Sequence, residues 1–237
     1  MTQRPLKRIG VATALLVLGV VGGLWLSGVF SSAQQDAALP VPPEPPRLSE
    51  ALAQLSLGEA DAAAEALERI AARSEAGLAA RAAVFGQAAE AWRAAGKAQR
   101  AAAAASLALA LTPQDPDLLL ERAMARLALA QVPGALADLD LAVVLDPNRA
   151  EAWIWRAAAQ RRLEKLHPAE DSITTALRLA PLHVEALLER GILRQLRGEV
   201  QAARRDWERV LELAPDSPAA DLAAQNLALI EAGPSQR

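Results

Sequence analysis

The chain has 237 residues, of which 52% are hydrophobic, and its formal net charge is −3. The apolar content excludes a wholly disordered chain. The absence of cysteine excludes disulfides, thiolate metal sites and cysteine nucleophiles. The slight acidic excess argues against a nucleic-acid binder. Alanine makes up about a quarter of the residues, which favours helices because its side chain loses no rotamer entropy there.

The first thirty residues predict a membrane anchor. The run from Ile9 to Phe30 contains no charged side chain, and three basic residues precede it, namely Arg4, Lys7 and Arg8. A helix of this length reaches roughly 33 Å, enough to cross the hydrocarbon core. The one-sided basic flank places the N-terminus in the cytoplasm. The sequence therefore predicts a single-pass inner-membrane protein whose remaining residues lie on the periplasmic or other extracytoplasmic side.

A cleaved signal peptide is the alternative for this segment, with Ser31-Ser32-Ala33 as an acceptable cleavage site. The apolar region of a signal peptide is normally about 7–15 residues long, and this run is longer, which favours the uncleaved anchor. Residues 31–47 follow, with five prolines between positions 40 and 46. Such a run favours extended polyproline geometry, so we expect a semi-rigid spacer.

The rest of the chain carries an internal repeat. Four prolines recur at one constant interval, and each closes a similar apolar phrase such as Leu-Ala-Leu-Thr-Pro; they are Pro113, Pro147, Pro181 and Pro215. A fixed period of this length is typical of stacked helical repeats. The predicted organisation is a diverged unit at 48–81, repeats at 82–115, 116–149, 150–183 and 184–217, a capping helix at 218–232 and a tail at 233–237.

Each repeat is predicted to contain two helices. Apolar residues recur at helical spacing on both sides of a break, and the predicted breaks lie at 131–134, 167–168 and 197–198. Asp115 and Ser217 each precede a proline, which is the pattern of a helix N-cap followed by proline at the first helical position.

These units resemble the tetratricopeptide repeat family. The family pattern has a large residue, a Leu-Gly pair and an aromatic residue on the first helix, then alanine, an aromatic residue and proline on the second. The last repeat matches it with Leu187, Arg190-Gly191, Arg194, Ala203, Trp207 and Pro215. The resemblance covers roughly residues 48–232. It implies an all-α superhelix of antiparallel helix pairs, preceded here by the transmembrane helix, as in membrane-anchored bacterial members.

Three arginines occupy positions where the family usually has leucine, and they recur with the same period as the prolines: Arg122, Arg156 and Arg190. They are expected to pair across the helix hairpin with a carboxylate of the second helix, Asp138 for the first and Asp206 for the last. The middle repeat has Ser172 at that position, so Arg156 is expected to turn toward another carboxylate. The alternative is an arginine ladder that grips an anionic ligand.

No catalytic chemistry is predicted. His167 and His183 have no ligand companions at zinc-site spacing, and no phosphate loop or nucleophile elbow occurs. The acidic residues Asp61, Glu65 and Glu68 are expected to pair along their own helix with neighbouring arginines. We therefore expect a non-enzyme that has no cofactor, no metal ion and no catalytic residue.

The family's concave surface is lined by the first helix of each unit, where ligand peptides lie. Two successive residues of a helix point about 100° apart, so one apolar set should face this surface and form a groove. The predicted partner-binding residues are Leu120, Met124, Ile154, Trp155, Leu188 and Ile192. An apolar groove predicts partners with hydrophobic or amphipathic segments and weak salt dependence. The alternative is that tilted helices bury these residues between repeats.

The resemblance implies a scaffold that binds other proteins or peptides. The anchor-then-repeat layout is similar to that of the accessory subunit of the secretion translocon, which predicts an assembly or chaperone-like adaptor. The phrase from Trp207 to Pro218 is similar to the repeat subunit of cytochrome c maturation, which is one alternative. A self-associating structural scaffold without a dedicated partner is the other.

Overall fold

The structure is a computed structural model that describes residues 47–232, and these residues form eleven α-helices and no strand. The helices are α1 (Leu48–Ser56), α2 (Ala60–Arg73), α3 (Leu78–Ala94), α4 (Ala98–Leu111), α5 (Pro116–Ala128), α6 (Val132–Leu145), α7 (Ala150–Arg162), α8 (Leu166–Leu179), α9 (Val184–Leu196), α10 (Val200–Leu213) and α11 (Pro218–Glu231). The anchor predicted at 1–30, the proline-rich segment up to residue 46 and the tail at 233–237 lie outside the described residues.

Consecutive helices pack against each other along the whole described chain. Because the turns between them are short, neighbouring helices run antiparallel. The odd-numbered helices also form a series of their own, since α3 contacts α5, α5 contacts α7, α7 contacts α9, and α9 contacts α11. Odd helices therefore form the inner layer of a superhelix and even helices the outer layer. The predicted all-α fold of stacked helix pairs is confirmed for residues 47–232.

The turn inside each helix pair uses a left-handed residue at the same position of every repeat. Gly96, Ala130, Glu164 and Gly198 have φ values of 72°, 58°, 59° and 79°, and they recur with the period of the prolines. The breaks predicted at 131–134 and 167–168 are therefore wrong by a few residues. Pro133 and Pro168 lie inside the first turns of α6 and α8, where the backbone N–H groups have no partner in the helix and proline is tolerated.

The predicted helix starts at Asp115 and Ser217 are confirmed. Both side chains accept hydrogen bonds from N–H groups of the first turn, of Leu118 at 3.2 Å and of Ala220 at 3.1 Å respectively. The proline after each cap occupies the first helical position. The first repeat begins earlier than predicted. Its first helix, α3, begins at Leu78, so the boundary predicted at residue 82 falls inside this helix.

The packing between the two helices of a repeat depends on small residues of the inner helix. Ala123 and Ala157 are fully buried, and Gly191 occupies the same position in the last repeat, against the indole of Trp207. Each repeat buries its own apolar cluster against its neighbours, as expected for a solenoid in which contacts are made mainly between adjacent units. The rigid layers that result hold the inner surface in place.

No helix within residues 47–232 combines the length and the apolar character that a membrane span requires. The predicted anchor lies outside this range and stays a prediction.

Candidate functional site

The inner surface of the superhelix is the face along which equivalent residues of α3, α5, α7 and α9 follow one another. Gln87, Glu121, Trp155 and Glu189 form one such row, with one residue from each successive repeat. A depression of about 510 Å³ opens on this face and is lined by residues of α3, α5, the turn before α5 and the residues around the start of α7. We call this face the groove and the depression the groove pocket.

Most of the predicted apolar groove residues are buried. Leu120, Ile154 and Leu188 are 1%, 5% and 8% exposed, and Met124 is buried as well. Leu120 and Met124 pack in a cluster with Leu127 and Leu139. The expected exposed floor of leucine and isoleucine is therefore wrong. Neighbouring repeats approach closely enough to bury both successive leucines of α5 and of α9, because close packing leaves no gap of side-chain size.

The predicted residues that keep accessible surface are Trp155 and Ile192, which are half-buried. Trp155 packs against the cluster that contains Leu120, Met124 and Leu127. Among the described residues, its indole N–H has no acceptor, whereas the indole N–H groups of Trp92 and Trp153 donate to the Glu68 carboxylate at 2.8 Å and the Pro147 carbonyl at 2.9 Å. Trp155 is only half-buried, and its indole nitrogen is not among the buried polar atoms that lack a partner, so its N–H is a donor available to a partner.

Ion pairs between neighbouring repeats frame Trp155 on both sides. Arg93 of α3 donates to Glu121 of α5 at 3.0 Å, and Arg161 of α7 donates to Glu189 of α9 at 2.6 and 3.2 Å. The equivalent pair between α5 and α7 is Leu127 and Trp155. The groove therefore alternates between an ion pair, an apolar pair and a second ion pair. The groove is therefore apolar over one repeat only, at Leu127 and Trp155, and we call this part of it the apolar window.

The arginine ladder pairs across the hairpins as predicted. Arg122 donates to both carboxylate oxygens of Asp138 at 2.9 and 2.7 Å, and Arg190 donates to those of Asp206 at the same distances. A second arginine on the same helix face adds a bond to each aspartate. These are Arg126 at 2.6 Å and Arg194 at 2.6 Å.

In the middle repeat, the neutral side chains of Ser172 and Gln160 take the places of the buried aspartate and the second arginine. Arg156 donates to Ser172 at 2.9 Å and to the exposed carboxylate of Asp140 at 2.7 Å, and the Ser172 hydroxyl donates to Gln160 at 2.8 Å. The expectation that Arg156 turns toward another carboxylate is confirmed. Because each buried aspartate binds two arginines, the ladder stabilises the hairpins and offers no free row of guanidinium groups to an anion.

The groove pocket is acidic. Its lining includes five carboxylates, from Glu90, Asp115, Asp117, Glu121 and Glu151, and only two arginines. Those two guanidinium groups are already paired within the pocket: Arg93 binds Glu121, and Arg149 binds Asp117 and lies 3.7 Å from Glu151. An excess of negative charge therefore remains on the wall of the groove next to the apolar window.

Glu121 shows the effect of its partial burial. Its pKa is raised above the ordinary value, first because the carboxylate is partly buried and also because Glu90 and Glu151 add negative charge, although Arg93 acts in the opposite direction. Gln87 lines the same pocket, and its amide oxygen is buried and accepts no hydrogen bond from any described residue. The pocket thus combines crowded carboxylates with an unused acceptor.

The acidic residues of α2 have structural partners. Asp61 and Glu65 pair with Lys97 at 2.6 Å and Arg100 at 3.4 Å, and Glu68 accepts the Trp92 indole N–H. The expected pairing along α2 itself is wrong, because the carboxylates pair instead with residues of α3, of α4 and of the turn between them. Within residues 47–232, no group of three potential ligands is arranged to hold a metal ion.

The residues that α3 contributes to the groove pocket were not identified from the sequence. Glu90, Arg93 and Gln87 lie on α3, in a repeat whose sequence is dominated by alanine. The repeat period could have found them, because Gln87 is the position in the first repeat that is equivalent to Glu121 and Trp155 in the next two. The pairing of Arg93 with Glu121 spans 28 residues, a spacing that recurs in Arg161 with Glu189.

Solved structures with the same fold are similar to this chain over most of its length. A thermophilic TPR protein from Thermus thermophilus, TTC0263, is 20% identical with a TM-score of 0.62, covering 77% of this chain and 96% of that one. MamA residues 41 to the end from Desulfovibrio magneticus RS-1 is 20% identical with a TM-score of 0.61, covering 72% and 94%. YrrB, a TPR protein with an unusual peptide-binding site, is 19% identical with a TM-score of 0.57, covering 76% and 90%.

No protein-family profile matches the sequence, and no curated protein is similar to it at the sequence level. At these identities the structural similarity establishes the fold, which is that of tetratricopeptide repeats. The choice of partner rests on the groove itself.

Proposed function

We propose that this protein is a membrane-anchored scaffold that binds an extended or helical segment of another protein in its groove, on the extracytoplasmic side. In this role it is an assembly or chaperone-like adaptor and not an enzyme. The fold supports the proposal, because stacked helix pairs present an extended concave surface suited to protein segments. The peptide-binding site of YrrB, a structure of similar fold, is consistent with it.

The single observation that carries the proposal is the state of Trp155. Its ring is half-buried and packs against an apolar cluster, while its N–H has no acceptor among the described residues. A partner could cover the exposed part of the ring with an apolar side chain and accept the indole N–H with a backbone carbonyl. Tryptophans in such positions often dominate binding energy.

The matched test uses the two tryptophans of α7. Trp155→Phe keeps an aromatic ring but removes the donor, and Trp155→Ala removes both. Trp153→Phe is the control, because Trp153 already donates its N–H to the Pro147 carbonyl and is half-buried against the apolar cluster of the neighbouring repeat. Full-length variants would be isolated from membranes with their associated proteins. We expect the two Trp155 variants to lose partners that the Trp153 variant retains, and equal recovery by all three would contradict the proposal.

The location is tested separately. Reporter fusions placed after residue 47 should be active only outside the cytoplasm, and terminal sequencing of membrane-extracted protein should find the original N-terminus. A mature chain that begins near Gln34 would instead identify the first segment as a cleaved signal peptide.

Self-association is a second candidate function, favoured by the outer surface of α4 and α6. Leu107, Leu141 and Val144 are 51%, 39% and 74% exposed there, with alanines beside them. The equivalent positions of α10 are charged, at Arg209 and Glu212. Sedimentation of Val144→Lys, with Arg209→Lys as the control, tests this candidate: loss of an oligomer in the first variant alone would support it, and a monomeric wild-type protein would exclude it.

A further inference from the structure

We propose that the groove pocket binds a basic side chain of the partner segment, lysine or arginine, next to an apolar side chain that packs on Trp155. This inference rests on the proposed function and specifies the chemistry of the partner. It begins from the two kinds of unused group that the pocket contains, carboxylates in excess and an amide oxygen without a donor.

The carboxylates supply the charge. Glu90 is exposed and forms no ion pair with the described residues, and its charge is one reason why ionisation of Glu121 is disfavoured. A cation placed between Glu90, Glu121 and Glu151 would offset this repulsion. The two arginines that line the pocket are held in pairs with its wall and leave the excess uncompensated. A partner cation is therefore favoured, and a partner carboxylate is opposed.

The amide of Gln87 supplies a second, independent requirement. Its oxygen is buried and lacks a donor, so a partner cation would reach it only after the amide rotates toward the pocket, and the new hydrogen bond would then recover the free energy of the unpaired acceptor. An ammonium group carries three N–H donors and a guanidinium group five, so either could serve the amide and a carboxylate together. The pocket volume of about 510 Å³ is in the usual range for a ligand site.

The repeat geometry sets the spacing of the partner's residues. The groove pocket contains Glu121 of α5, and the apolar window contains Trp155, which is the equivalent residue of the next inner helix, α7. Packed helices have axes about 8–10 Å apart, and an extended chain advances about 3.3–3.6 Å per residue. A basic residue and a bulky apolar residue about three positions apart would therefore reach both subsites at once.

This arrangement also changes the expected salt dependence. An apolar groove alone predicts binding that is insensitive to salt, whereas a charged subsite that is partly open to solvent weakens as salt screens it. Affinity should therefore fall with ionic strength, and more steeply for peptides that carry the basic residue.

The experiment uses the full chain in detergent and short labelled peptides measured by fluorescence anisotropy. The probe is a glycine-based peptide with one lysine and one leucine three positions apart. Matched peptides replace the lysine with norleucine or glutamate, place lysine and leucine side by side, or replace the leucine with glycine. The protein variants are Glu90→Gln, Glu90→Lys and Trp155→Ala, with Asp171→Gln as a control on the outer surface of α8.

We expect norleucine to weaken binding about tenfold, as for the loss of one charge-assisted hydrogen bond. Glu90→Lys should do the same and should remove the preference for lysine, while the Asp171 control should change nothing. Suppose that Trp155→Ala and loss of the peptide leucine abolish binding, but that replacing the peptide lysine or Glu90 has no effect. The proposal of a basic subsite is then contradicted, and the proposal that the groove binds a protein segment is supported. If no probe binds, or if Trp155→Ala also has no effect, both are contradicted.

Discussion

Gly191 and Trp207 occupy one space between the two helices of the last repeat. A Cβ atom on Gly191 would lie 2.7 Å from Cδ1 of the Trp207 ring, which is fully buried and donates its N–H to the Leu188 carbonyl at 3.2 Å. The second repeat fills the equivalent space with Ala123 and Leu139, both of them buried. The size of the residue on the inner helix therefore limits the size of the residue that packs against it from the outer helix.

We expect Gly191→Ala to destabilise the protein by about 1–3 kcal/mol, because the added methyl group forces the ring out of its packed position. Trp207→Leu alone should destabilise by a comparable amount through the cavity it leaves. The double variant reproduces the pair found in the second repeat, so its loss should be smaller than the sum of the two. Denaturant unfolding measures all three, and additive losses would show that the two sites do not share space.

Asp138 is the shared acceptor of two arginines and is 5% exposed. Asp138→Asn should lower the free energy of unfolding by about 1.5–3 kcal/mol, because both guanidinium groups lose a charged partner. Asp140→Asn is the control: its side chain is 49% exposed in its pair with Arg156, so the loss should be below about 1 kcal/mol. Urea titration compares them. An equal effect of the two substitutions would mean that burial of the aspartate contributes nothing.

Ala130 and Glu164 adopt the left-handed backbone conformation that glycine adopts in the turns of the neighbouring repeats. Side-chain residues are strained there by about 1–2 kcal/mol. Replacing either residue with glycine relieves this strain but increases the conformational entropy of the unfolded chain. The net effect should be a rise of up to about 1 kcal/mol in the free energy of unfolding. Gly198→Ala should have the opposite sign. Thermal unfolding checks this, and a lower melting temperature for Ala130→Gly would contradict it.

The raised pKa of Glu121 predicts a pH dependence of stability. Because the folded state holds this proton more tightly than the unfolded state, the favourable contribution is complete below the ordinary glutamate pKa of 4.5. It is then lost as the pH rises through the higher folded pKa. Glu121→Gln should remove this part of the dependence. Unfolding measured between acidic and neutral pH distinguishes the two proteins, and parallel curves would show that Glu121 is not the group responsible.

The repeat period, the all-α class and the hairpin arginine pairs could be predicted from the sequence, because each depends on residues that recur at a fixed spacing and act within one repeat. Arg122 with Asp138 is of this kind, and so is the cap at Asp115. Turn positions were predicted less well, since Pro133 and Pro168 indicate a break in sequence but fit the first turn of a helix.

The groove depended on tertiary structure. Leu120 and Trp155 look alike as apolar residues of an inner helix, yet one is buried by the next repeat and the other keeps part of its surface and an unused donor. The acidic pocket arises from residues of three helices that no local pattern connects, among them Glu90, Glu121 and Glu151. Local periodicity determines which helices form. The tilt between stacked repeats determines which of their side chains meet and which face solvent, because burial depends on neighbours that are distant in sequence.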